Sequence, residues 1–100
     1  MIEVHVRDNG SVVLRNMGDR SLKVWKVVVE YTTSLPGTLY TGEKTRRLRV
    51  RESFSIERDL NPGEEARVDT GLDPASINSV TVYFQEQGGS MGKKTLNLNP

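Results

Sequence analysis

Short runs of alternating apolar and polar residues, cut apart by turn-forming clusters, constrain this chain more than any other feature. Ile2, Val4 and Val6 alternate with Glu3, His5 and Arg7; the same rhythm returns in Leu48-Val50, Phe54-Ile56, Ala66-Val68 and Val80-Val82-Phe84. A period of two places one side-chain set on each face of a β-strand. Between the runs stand Asp8-Asn9-Gly10, Asn16-Met17-Gly18-Asp19, Leu35-Pro36-Gly37, Asn61-Pro62-Gly63-Glu64 and Gly88-Gly89-Ser90. Asn and Gly accept positive φ, and Pro presets the first central position of a turn. Strands closed by such turns predict an all-β domain, and no stretch carries the helical period over a useful length.

The turns divide the chain into about seven to eight strands. They predict an Ig-like antiparallel β-sandwich, with a small β-barrel as the alternative. One hundred residues suit a single domain spanning 1–100. Leu22 to Tyr31 is the longest strand candidate, and its phase changes partway. Leu22 and Val24 share one parity, while Trp25, Val27, Val29 and Tyr31 share the other. Either a β-bulge or a central strand covered on both faces accounts for that. Trp25 is expected in the core. Thr32 to Thr45 reads as the loosest region, with a turn at Pro36-Gly37 and a short edge strand near Leu39-Tyr40. From Leu48 to Leu60 the even positions stay apolar except at Glu52 and Arg58, which fits one long strand or two short ones. Asp73-Pro74-Ala75-Ser76 predicts one helical turn, with Asp as N-cap and Pro at the first position.

Composition excludes several kinds of chemistry. With no cysteine, disulfide scaffolds, thiolate metal sites and cysteine nucleophiles are ruled out. His5 is the sole histidine, so a multi-histidine zinc site cannot form, and its strand parity puts it on the polar face. Fourteen basic side chains against thirteen acidic ones leave a net charge of +1, with no global pull toward nucleic acid or anionic lipid. No run approaches the ~20 apolar residues that cross a bilayer. The segment Gly88-Gly89-Ser90-Met91-Gly92-Lys93-Lys94-Thr95 approaches the phosphate-binding pattern GxxxxGK[ST], but Gln87 stands where its first glycine belongs. That loop works at a helix N-terminus, whereas Thr95-Leu96-Asn97-Leu98 reads as strand. A hairpin loop is the expectation. The carboxylates, including the Asp-rich turns, lack the spacing of a cation loop. No catalytic, cofactor-binding or metal-ligating residue is assigned.

One charged stretch stands out: Lys44, Arg46, Arg47, Arg49 and Arg51. On a strand Arg47, Arg49 and Arg51 point the same way, about 7 Å apart in steps of two. They suit phosphates or an acidic partner, and they also suit an edge strand protected by charge, with Glu3, Glu30, Glu57 and Asp59 as cross-strand partners. No aromatic residue interleaves with them, so base stacking has little support. Tyr31, Tyr40 and Tyr83 either flank the core, the favoured reading, or form a contact patch on an outer face. Arg47, Arg49, Arg51 and Tyr40 are the candidate partner-binding residues.

Three segments carry a family resemblance. Asn16-Met17-Gly18-Asp19-Arg20-Ser21-Leu22 resembles the N-x-G-x-x-x-L first hairpin of archaeal surface β-sandwiches, a group that includes archaellins, archaellum stator proteins and type IV pilins. Leu60-Asn61-Pro62-Gly63-Glu64 with Ala66-Arg67-Val68 resembles their L-x-P-G-E turn and strand. Ile77 to Phe84 resembles their late strand before a Gly-rich loop. The resemblance covers about half of the chain and implies a non-enzymatic protein–protein interaction domain, the soluble part of an archaeal motility or adhesion filament component at the cell surface. Its partner is then a second copy, a surface-layer protein or a filament protein, with no small-molecule substrate and no cofactor. Such proteins carry an N-terminal hydrophobic helix, so this chain is expected to be the domain cut from that anchor. The alternatives are a carbohydrate- or cation-binding accessory module, which an exposed Trp25 favours, and a small nucleic-acid-binding barrel. A cytoplasmic location is the alternative to the cell surface.

Overall fold

A computed structural model describes residues 1–36 and 45–98. The order of elements is β1 (Ile2–Val6), β2 (Ser11–Asn16), β3 (Leu22–Pro36), β4 (Thr45–Leu60), β5 (Glu65–Asp69), a 3-10 turn (Pro74–Ser76), β6 (Ile77–Glu86) and β7 (Met91–Asn97). Two antiparallel sheets result: a three-stranded one in the order β1-β2-β5 and a four-stranded one in the order β4-β3-β6-β7. The sheets do not close into a barrel, so the sandwich is the correct alternative.

The alternation is what presses the sheets together. Ile2, Val4, Val12, Leu14 and Ala66 face inward from the small sheet. Leu22, Val24, Val27, Val29, Leu60, Ile77, Val80 and Val82 meet them from the large one. Burying such side chains contributes about 1.5–3 kcal/mol each. Val6, Tyr31, Phe54, Ile56, Val68, Leu72, Phe84 and Leu96 are half-buried around that core. The β1–β7 side of the sandwich is closed by Lys94, which donates from Nζ to the Ile2 carbonyl at 2.9 Å.

The turns behave as their chemistry requires. Gly10 has φ +83°, and a Cβ there would lie 2.0 Å from the Leu72 carbonyl oxygen, so no other residue fits. Gly63 has φ +85° in the Asn61–Glu64 turn, where the Glu64 amide donates to the Asn61 carbonyl at 2.9 Å. Asp73 caps the 3-10 turn by accepting from the Ala75 amide at 3.0 Å. Buried Asn16 ties two turns together. Its Nδ2 donates to the Arg20 and Leu60 carbonyls at 2.8 and 2.9 Å, its Oδ1 accepts from the Gly18 amide, and its own carbonyl accepts from the Gly63 amide.

The phase change in β3 is a bulge. Register shifts between Val24 and Lys26 against both neighbours: against β6 Trp25 is the extra residue, and against β4 it stands opposite two residues, Ile56 and Glu57. Glu57, opposite this shift, takes φ +48°. Trp25 departs from expectation: it does not belong to the core cluster but is half-buried, with the Lys23 ammonium 4.2 Å from its ring centroid. Its Nε1 is shielded and has no hydrogen-bond partner among the described residues. Lys23 lies on the outer side of the sheet, one step from inward-facing Val24, and the bulge turns Trp25 to that side with it.

A second departure fixes the shape. Thr32 to Pro36 is strand rather than loose chain, and Thr45 to Leu60 is one strand of 16 residues. β3 and β4 pair as far as Pro36 opposite Thr45, whereas β6 reaches β3 only as far as Ile77 opposite Tyr31. Among the described residues, 32–36 and 45–49 therefore pair as strands only with each other, as a two-stranded ribbon beyond the sandwich. The molecule is 57 Å long and 25 by 22 Å across. The turn expected at Pro36-Gly37 and the edge strand near Leu39-Tyr40 fall largely on residues 37–44, outside the described residues.

Candidate protein-interaction surface

The inward-facing residues define the opposite face of each sheet. On β4, Phe54 lies opposite Val27 and Val50 opposite Tyr31, so the even positions face inward. Arg47, Arg49 and Arg51 therefore project from the outer face in one row, as the strand spacing predicted. Their register partners on β3 are Ser34, Thr32 and Glu30. Arg49 Nη1 lies 3.4 Å from Glu30 Oε1, and the Arg49 side chain is 68% exposed. Arg47 and Arg51 are exposed and have no ion pair among the described residues. Tyr40 lies outside the described residues.

More cations extend this face beyond the arginine row. Lys23 covers Trp25, and Lys26 sits 4.8 Å from the ring centroid of Tyr83. Lys93 lies opposite Tyr83 on β7. An ammonium over an aromatic face keeps its charge while its aliphatic stem covers the ring. The acids on the same side are Glu30, Glu57 and Asp59. The two tyrosines that can be placed split between the readings: Tyr31 packs against the core, with its hydroxyl 3.5 Å from Glu52 Oε2, and Tyr83 joins the outer face.

The small sheet is built differently. Glu3, His5, Arg15, Glu65, Arg67 and Asp69 face outward from it. His5 Nε2 contacts Glu3 Oε1, Arg15 Nη1 lies 4.0 Å from Glu65 Oε1, and Arg67 Nε lies 3.3 Å from Asp69 Oδ1. Those charges cancel locally. His5 is exposed, on the polar face where the alternation put it.

Clefts are shallow. An open groove of about 420 Å³ at the end opposite the ribbon is lined by Ser21, Lys23, Asp59, Asn61, Gln85 and Glu86, among others. Among the described residues no group of three or more His, Asp or Glu converges as metal ligands. Residues 87–90 are the β6–β7 hairpin connection, and strand β7 follows them where a phosphate loop requires a helix. Among the described residues no helix is long and apolar enough to cross a membrane.

Sequence reasoning found the arginine row but not the projecting ribbon that carries Arg47 and Arg49, nor the lysine–aromatic pairs. The continuous even-position pattern from Leu48 to Leu60 was the signal for a strand longer than its neighbours. No family model matches the chain, and no match is found among curated proteins or solved structures.

Proposed function

We propose that this chain is a non-enzymatic protein-interaction domain that engages an acidic protein surface through the outer face of its four-stranded sheet. The carrying observation is the Arg47-Arg49-Arg51 row, which runs from the edge of the sandwich at Arg51 out onto the projecting ribbon at Arg49 and Arg47, with Arg47 and Arg51 free of ion pairs among the described residues. Guanidinium groups are weakly hydrated and bind carboxylates bidentately, so they suit selection of acidic partners. Complementary charge of this kind sets partner choice and association rate more than raw affinity.

The setting we propose is the soluble part of an archaeal-type motility or adhesion filament component at the cell surface. Its support is the resemblance of the Asn16–Leu22 and Leu60–Glu64 segments, which meet in space through Asn16. A reading frame upstream of Met1 that encodes a basic leader and an apolar helix is expected. The carbohydrate-binding alternative loses weight because Lys23 covers the Trp25 ring on which a sugar would stack.

Immobilised polyglutamate is the probe for the basic face. The chain should be retained at low salt and released by moderate salt, and Arg47→Glu/Arg51→Glu should abolish retention. Equal retention of wild type and the double variant would overturn the reading. Retention on DNA but not on polyglutamate would replace it with the nucleic-acid alternative.

A further inference from the structure

The strand that carries the arginine row is also an edge. β4 ends the order β4-β3-β6-β7, so its second side pairs with no strand among the described residues. An edge of 16 residues is a standing template for another chain. Its side chains are not arranged as a uniformly charged guard. The outer row reads Arg47, Arg49, Arg51, Ser53, Ser55, Glu57, Asp59. The first part is basic, the last part acidic, and Ser53 lies at the centre.

An antiparallel copy of the same strand, related by a two-fold axis at Ser53, turns this order into complementarity. Arg47 then faces Asp59 of the second copy, Arg49 faces Glu57, and Arg51 faces Ser55. On the inner side Val50 faces Ile56. Both are only partly buried in the single chain. Opposite charges directly across a strand pair stabilise it, and like charges destabilise it. Shifting the axis far toward either end instead stacks arginine on arginine or acid on acid. The left-handed backbone of Glu57 interrupts regular pairing there, so the ladder covers 50–56 and the Arg49–Glu57 and Arg47–Asp59 contacts flank it.

We infer that β4 pairs with β4 of a second copy of this chain in an isologous antiparallel dimer, joining the two four-stranded sheets into one continuous sheet. A two-fold contact demands a self-complementary surface, and β4 supplies one in its charge order, its free edge and its uncovered apolar positions. The inference rests on the protein-interaction reading above and names the partner and the register.

The test is sedimentation equilibrium up to near-millimolar concentration on wild type, Arg49→Glu and Arg49→Glu/Glu57→Arg. Wild type should dimerise at low salt. Arg49→Glu makes both symmetry-related contacts repulsive and should weaken the dimer about tenfold or more. The double variant restores opposite signs and should regain most of the loss. Ser53→Cys gives a second readout that does not depend on charge, because the chain has no other thiol. Directly opposed residues lie about 4.5–5.5 Å apart at Cα, within disulfide reach, so oxidation should link two copies through position 53. A monomer at every concentration, a dimer indifferent to Arg49→Glu, failure of the double variant to recover, or no linkage at position 53 would each overturn the pairing. A strict monomer that still binds polyglutamate would refute self-pairing while leaving the protein-interaction reading intact.

Discussion

The sandwich body and the β3–β4 ribbon are made from the same two strands but obey different economies. Within the body β3 is flanked by β4 and β6, and the β1-β2-β5 sheet closes over its inner face, so Val24, Val27 and Val29 are fully buried. Past Tyr31 the ribbon has two strands among the described residues, and Arg47, Leu48 and Arg49 stand in solvent. A two-stranded ribbon alone is at best marginally stable in water, so this one is held as an extension of body strands. Stability is therefore concentrated in one half of these strands and recognition chemistry in the other. Substitutions should separate the two.

The largest effect should come from paired truncations on either side of that boundary. Leu14 is fully buried, and Leu14→Ala should cost about 2–5 kcal/mol through lost burial and a residual cavity. Leu48→Ala on the ribbon should stay within about 0.5 kcal/mol, because little area leaves water there when the chain folds. Urea denaturation of both variants measures the contrast. Similar losses would mean that the ribbon belongs to the cooperative core and that the division is wrong.

Asn16 gives a sharper version, because it is polar and yet belongs to the body. Replacing it by Ala strips the Leu60 and Arg20 carbonyls of a donor and the Gly18 amide of an acceptor, at a buried site. The expected cost is about 2–3 kcal/mol in the same urea experiment. Asn61→Ala removes the exposed Ser21 Oγ to Asn61 Oδ1 bond and should cost under about 1 kcal/mol. If the two losses match, the junction between these turns is not what holds the end of the sandwich.

How much of this was legible beforehand follows from which interactions are local. The alternation exposed the strands, and the turn residues exposed their ends, because both are governed by neighbours in sequence. Gly10, Gly63 and Asp73 do what their residue types demand. Trp25 was misplaced because apolar character pointed inward while the bulge, a tertiary feature, turned it outward beneath Lys23. Thr32 to Pro36 read as loose because Thr and Ser sit in turns as readily as in strands. Their pairing with residues 45–49 decides the matter, and that is a long-range fact. The arginine row was visible from spacing alone, but its unpaired state depends on which acids the topology brings near. Of the acids foreseen as partners, only Glu30 reaches the row, and it meets Arg49.

The smallest predicted effect concerns charges that the body does pair. Glu3 contacts His5 on the outer face of the small sheet, and this hydrogen bond, more than the nearby charges of His5, Arg15 and Lys94, holds the Glu3 carboxyl below its ordinary value of 4.5. A carboxyl depressed on folding binds fewer protons in the native state than in the unfolded one. Its contribution is therefore present above the unfolded value and fades as pH falls through the native one. The pair is exposed, so the energy at stake is slight, but the titration itself is readable by NMR. The Glu3 carboxyl should titrate below 4.5 in wild type and move upward in His5→Ala, keeping only the residual pull of Arg15 and Lys94. A midpoint that ignores His5→Ala would show that the small sheet does not pair its charges as described. The contrast with Arg47 and Arg51 of β4, which have no ion pair among the described residues, would then lose its reference.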